Sequence, residues 1–175
     1  MAEKLHQILE SRFAISELYP LQGKVISHIM EGHHALVVMP TGSGKSLCFQ
    51  LPALALDREG VTLVFSPLIA LMEDQVAALK KKGIAAEFIN STLDSGTRKK
   101  RYEALARGEY ELIYATPERM YKEEFRDALD SIPGGPSSWL STRRTVSPGG
   151  DMTSGPPTAK SAASEKCWAS RRRSP

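Results

Sequence analysis

The sequence predicts an α/β fold with a mainly parallel sheet. Three observations carry that expectation. Short apolar runs alternate with stretches of helical spacing along residues 1–132. A Gly-rich turn, Thr41-Gly42-Ser43-Gly44-Lys45-Ser46, stands between one such run and a helix. Ligands of open α/β sheets bind at strand ends of that kind. Finally, the apolar residues thin out abruptly near residue 132.

The elements follow in order. Leu5, Ile8 and Leu9 have helical spacing, so residues 2–11 read as a helix. Pro20 suits the first turn of a second helix reaching about Glu31, with Val25, Ile26, Ile29 and Met30 on one face and Gly32 ending it. Residues 35–39 form a continuous apolar run, expected to be a strand buried on both faces. A helix from about Lys45 to Leu56 follows the Gly-rich turn. Val61 to Phe65 reads as a strand, Leu68 to Lys82 as a helix, and Ala86 to Ile89 as a weaker strand. Asp94 or Ser95 caps a helix to about Arg107. Glu111 to Ala115 is a further strand, and an interrupted helix runs from about Pro117 to Leu129.

The chain carries 23 Lys+Arg and 20 Asp+Glu, a net charge of +3. That average conceals two segments. Residues 1–132 hold 16 basic and 18 acidic residues, whereas residues 133–175 hold 7 and 2. The basic excess therefore lies wholly in the tail and argues nothing about the body. Of the 43 tail residues, 20 are Ser, Gly or Pro. Too little apolar surface is left to offset ordering entropy, so residues 133–175 are expected to be disordered. Two cysteines, Cys48 and Cys167, give neither a disulfide framework nor a metal-ligand spacing. Cys48 reads as a small buried hydrophobe. With no apolar run of membrane length and no signal-peptide pattern, the expectation is a reduced, cytoplasmic protein with no membrane partner.

The turn at residues 40–46 carries chemistry. Gly42 and Gly44 allow a tight turn that aims backbone N–H groups at an anion, backed by a helix N-terminus. Lys45 can neutralise the β- and γ-phosphates of a nucleotide, and the Ser46 hydroxyl can ligate Mg²⁺. Met39 stands where the strict phosphate-loop pattern has its first Gly. A plain Gly turn accounts for neither Lys45-Ser46 nor the apolar run before them.

Four segments in order resemble the front half of the first motor domain of a RecQ helicase, in superfamily 2. They are Phe13 to Gln22, Met39 to Leu54, Thr62 to Val76, and Tyr114-Ala115-Thr116-Pro117-Glu118-Arg119. The resemblance covers about residues 10–130. It implies an incomplete RecA-like parallel sheet flanked by helices over residues 1–132, the N-terminal part of the ATP-binding domain. It further implies that Gln22 reads the adenine edge and that Thr41, Gly42, Ser43, Gly44, Lys45 and Ser46 hold ATP with Mg²⁺. Ser66, Pro67 and Thr116 would meet the backbone of single-stranded or partly unwound DNA. The family commonly has aromatic and Arg residues where Ile15 and Tyr19 stand here. For Arg119 an ion pair competes with DNA contact, and Asn90-Ser91 reads as a turn. The lysine clusters at 80–82 and 99–101 read as solvated helix faces. The whole-family activity would be ATP-driven 3′ to 5′ DNA unwinding in recombination and repair, in the cytoplasm and at the nucleoid of a bacterium.

The family's next strand carries Asp-Glu-Ala-His, whose Asp holds Mg²⁺ through water and whose Glu activates the attacking water. Residues 133–175 have no such run. Read one base out of frame, the codons from Trp139 onward permit Ala-Ile-Asp-Glu-Ala-His and a continuation, and Met152-Thr153 forces Asp. A frame change near Gly134-Gly135 is therefore expected, with the tail a product of shifted codons. On that reading this chain lacks both carboxylates and the second motor domain with its arginine fingers, and should not hydrolyse ATP. Two rivals remain. One is a non-catalytic nucleotide- or DNA-binding module with a genuine basic tail. The other, a small kinase, is disfavoured by the Ser66 to Val76 segment.

Overall fold

A computed structural model describes residues 2–56 and 60–141 of the chain. Its elements are α1 (Ala2–Phe13), α2 (Pro20–Met30), α3 (Leu47–Ala55), β1 (Val61–Phe65), α4 (Ile69–Lys81), β2 (Ala86–Ile89), α5 (Ser95–Ala106), β3 (Leu112–Ala115), a 3₁₀ turn (Pro117–Tyr121), α6 (Glu123–Asp130) and β4 (Pro136–Ser141). The sheet order is β2-β3-β1-β4, and every ladder is parallel. This is the α/β sheet that the alternation of apolar runs predicts.

Burial explains why these strands are apolar throughout rather than alternating. All five residues of β1 are buried. Val64, Leu112 and Tyr114 face a core shared with Leu9 and Phe13 of α1, Ile26 of α2, Leu51 of α3, and Met72, Val76 and Leu79 of α4. Leu63, Phe65, Ile113 and Ala115 face the opposite core, filled by Leu105 of α5 and by Phe125 and Leu129 of α6. Period-two side chains thus serve two different helix layers.

The helix ends follow their expected chemistry. Pro20 opens α2, where a missing N–H costs nothing. Asp94 caps α5 by accepting from the Thr97 N–H at 2.9 Å. Arg12 at the end of α1 donates to the Lys82 and Gly83 carbonyls that follow α4, at 3.2 and 3.1 Å. The interruption expected after Pro117 is real: a 3₁₀ turn ends before α6 begins.

Two expectations are corrected. Residues 35–39 are not a strand. Leu36 and Val38 are 95% and 83% exposed. A strand exists only where a neighbour supplies its hydrogen bonds, and among the described residues none pairs with this run. The second correction concerns the tail expected from residue 133. Its first part, β4, lies parallel to β1, with Leu63 opposite Trp139 and Phe65 opposite Ser141. Ladder bonds are backbone bonds, so the open edge of β1 accepts a strand whatever its composition. The rest of the expected tail, residues 142–175, lies outside the described residues.

Candidate nucleotide and nucleic-acid site

The phosphate loop leads directly into α3. Gly42 and Gly44 have φ of +80° and +74°, the left-handed backbone that favours glycine. A Cβ at Gly42 would point into open space, so only backbone conformation selects Gly there. At Gly44 a Cβ would also collide with the Gln22 amide nitrogen. Lys45 Nζ donates to the Met39 and Pro40 carbonyls at 2.8 and 2.7 Å. The ammonium is thus held at the mouth of the loop by two neutral acceptors. An incoming phosphate competes well for it, because it adds a charge–charge attraction that a neutral carbonyl lacks.

Gln22, the expected adenine reader, is 3% exposed. Its Oε1 accepts from the Tyr19 N–H at 2.9 Å, and its Nε2 donates to Ser43 O at 3.1 Å and Gly44 O at 3.4 Å. Its amide therefore braces the phosphate loop from α2. Tyr19 itself is 69% exposed.

Ser46 is tied to a partly buried polar chain. Gln75 Nε2 of α4 donates to Ser46 Oγ at 3.0 Å. Tyr114 Oη of β3 donates to Gln75 Oε1 at 3.0 Å. Gln50 Nε2, one turn beyond Ser46 on α3, donates to Tyr114 Oη at 3.2 Å. Burial, with the Gln50 bond opposing it, pushes the Tyr114 phenol up to about 12, so it stays protonated as a donor. Sequence reading quoted Gln50 and Gln75 inside motifs but gave them no role. The available signal was a lone amide inside the apolar run Leu47 to Leu54.

Ser66 and Thr116 terminate the neighbouring strands β1 and β3, and both are 3% exposed. The Ser66 N–H donates to Ala115 O at 3.0 Å, and Ser66 Oγ accepts from the Leu68 N–H at 3.3 Å. Pro67 between them is exposed. Thr116 Oγ1 has no hydrogen-bond partner among the described residues, and the same holds for Arg119 Nε and Asn90 Nδ2. The Ile89–Ala115 register sets Asn90 beside Thr116. Buried polar atoms are rarely left unpaired, and two of these, on Asn90 and Thr116, follow the paired strand ends Ile89 and Ala115.

The basic clusters divide. Lys80 and Arg101 pair with the buried Glu87 at 2.7 and 3.2 Å, a structural tie between α4, β2 and α5. Cys48 is buried and its thiol is pushed up by desolvation, as expected of a core residue. His28, Glu31 and His33 bring three potential ligand atoms within 4.8 Å of one another, all on exposed side chains. No helix among the described residues is long and apolar enough to cross a membrane.

Residues 19–132 match the family described as DEAD/DEAH box helicase. The chain is 43% identical over 118 residues to the ATP-dependent DNA helicase RecQ of Haemophilus influenzae, covering 67% of this chain and 19% of that protein. It is 41% identical over 133 residues to RecQ of Bacillus subtilis, covering 75% and 22%. Among solved structures it is similar in fold to the DUF1998 helicase MrfA bound to DNA, with a TM-score of 0.62, 23% identity, and 74% and 19% coverage. The chain spans about a fifth of the length of the curated relatives it matches.

Proposed function

The chain belongs to the DEAD/DEAH box helicase family, with RecQ helicases among its relatives, and on that premise we propose that it is the nucleotide- and DNA-binding front of a RecQ-type 3′ to 5′ DNA helicase. Gly42, Gly44, Lys45 and Ser46 would hold the phosphates of ATP, with Thr41 and Ser43 completing the loop. Gln22 would act from α2, bracing the loop and, once released, reading the base. Mg²⁺ would supply charge neutralisation at the phosphates, and Ser46 fits it: an Oγ with one acceptor site filled by Gln75 keeps a second lone pair. Ser66, Pro67 and Thr116 would meet single-stranded DNA, with the unpaired Thr116 hydroxyl offering a donor to phosphate.

One observation carries this reading most: left-handed Gly42 and Gly44 opening α3, with Lys45 free of any carboxylate partner among the described residues. Residues 1–175 hold no Asp-Glu-Ala-His run, so on this reading the chain would bind nucleotide without turning it over. Residues 133–175 are the tail of a shifted frame, and sequencing codons 130–160 tests that directly. A cytoplasmic site of action, at the nucleoid in a bacterium, follows from the same reading.

Binding of a fluorescent ATP analogue to the full chain tests the site. Lys45→Ala should weaken it about tenfold or more, since bonds to charged groups contribute about 1.5–3 kcal/mol. Equal affinity in the variant removes the phosphate-loop reading. Lys45-dependent phosphate release above background removes the claim of no turnover. For DNA, Thr116→Val should weaken binding of a labelled single strand. Salt-sensitive binding that vanishes on deleting residues 142–175, and ignores Thr116, would favour a non-catalytic module with a genuine basic tail.

A further inference from the structure

Four side chains from three elements form one directed hydrogen-bond chain. Gln50 Nε2 donates to Tyr114 Oη at 3.2 Å, Tyr114 Oη to Gln75 Oε1 at 3.0 Å, and Gln75 Nε2 to Ser46 Oγ at 3.0 Å. Placing Gln75 Oε1 toward β3 and Nε2 toward the loop gives the chain one direction. A phenol has one proton to give, and Tyr114 gives it to Gln75, which fixes the Gln75 carbonyl toward β3. Its amide N–H₂ must then face Ser46. Gln50 adds a longer bond to the same Gln75 oxygen, at 3.4 Å. The chain is sheltered: Gln50 is 8% and Tyr114 2% exposed, and a small pocket between Val64, Ser66, Met72 and Tyr114 adjoins Gln75.

A serine hydroxyl rotates freely unless something holds it. With one lone pair taken by Gln75, the remaining lone pair and the proton of Ser46 have fixed directions. We propose that Gln75 is a positioning residue for the Mg²⁺ ligand Ser46, locked in its working orientation by Tyr114 and Gln50. The proposal rests on the phosphate-loop reading above and deepens it. It also joins the loop to α4 and β3, the two elements that lead from Ser66 and to Thr116. Partners that orient a metal ligand are worth about 10–100-fold in metal affinity.

The test is the ratio of fluorescent-ATP-analogue affinity in Mg²⁺ to that in EDTA, measured on the full chain. Ser46→Ala sets the floor of that ratio. Gln75→Met keeps length and bulk but removes donor and acceptor. It should lower the ratio about tenfold, with affinity in EDTA within about twofold of the parent chain and the melting temperature little changed. Tyr114→Phe removes both the proton that orients Gln75 and the acceptor of the Gln50 bond, leaves Gln75 itself in place, and should lower the same ratio by less. An unchanged ratio in Gln75→Met, with Lys45→Ala still weakening binding in both conditions, overturns the positioning role and leaves the phosphate loop standing. Equal weakening with and without Mg²⁺ makes Gln75 a packing residue and also overturns it. Absence of any Lys45-dependent binding in the parent chain removes the site reading and this role together.

Discussion

Val61–Phe65, apolar apart from Thr62, and the wholly apolar residues 35–39 are both five-residue runs that lead into a loop with chemistry on it. The first is buried at every position and pairs on both sides, with β3 and with β4. The second pairs with nothing described, and leaves Leu36 and Val38 exposed on an open groove that they line together with Leu21, Lys24 and Val25 of α2. Their compositions barely differ. What differs is whether neighbouring backbone is present to take up the N–H and C=O groups. A strand is a relation between segments, and apolarity qualifies a segment for it without securing it.

That contrast can be broken most severely by truncation. Leu63→Ala should cost about 2–5 kcal/mol, as for other fully buried leucines, whereas Leu36→Ala should stay within about 0.5 kcal/mol. Urea unfolding midpoints decide, and equal losses would mean that residues 35–39 are covered in solution. A smaller effect sharpens the contrast at the loop itself. Gly44→Ala forces a left-handed backbone and a clash with Gln22, and should cost about 1–3 kcal/mol. Gly42→Ala meets open space and should cost only its conformational part, about 1 kcal/mol. Hydrogen exchange then grades the two runs directly, with slow amides in β1 and fast ones at residues 35–39.

The smallest effect serves as an outside reference, on α5. The Asp94 carboxyl lies below the usual range because the Thr97 side chain and N–H bond to it. A depressed folded pKa gives stability that is present above the unfolded Asp value and is lost as pH falls through the folded one. Asp94→Ala should flatten that acid limb slightly and leave the contrast between the two runs untouched. A pH titration of the unfolding midpoint shows it.

The starts of α2, of α5 and of the 3₁₀ turn were legible because each carries its own local signal. Pro20, Asp94 and Pro117 mark starts whatever lies around them. The phosphate loop was legible because glycine spacing and Lys45-Ser46 are chemistry written in consecutive residues. Residues 35–39 misled because their fate depends on partners elsewhere in the chain. The Gln50–Tyr114–Gln75–Ser46 chain was hidden for the same reason: its members are scattered over three elements, and only folding brings them together. Gln22 lay between these cases. Read alone it was a surface helix residue and only the resemblance singled it out, while its burial and its bonds to Tyr19, Ser43 and Gly44 were not visible.

The parallel order β2-β3-β1-β4 imposes a timetable on synthesis. β1 is made first, yet both its neighbours come later in the chain, and β2 has only β3 to pair with. No ladder can close until Leu112–Ala115 has left the ribosome. β1 and β2 must wait unpaired until then, shielded only by their own helices. Such long-range pairing is slow because loop closure precedes its reward. β3 is therefore the strand whose arrival turns a string of helices into a sheet, and it brings Tyr114 with it.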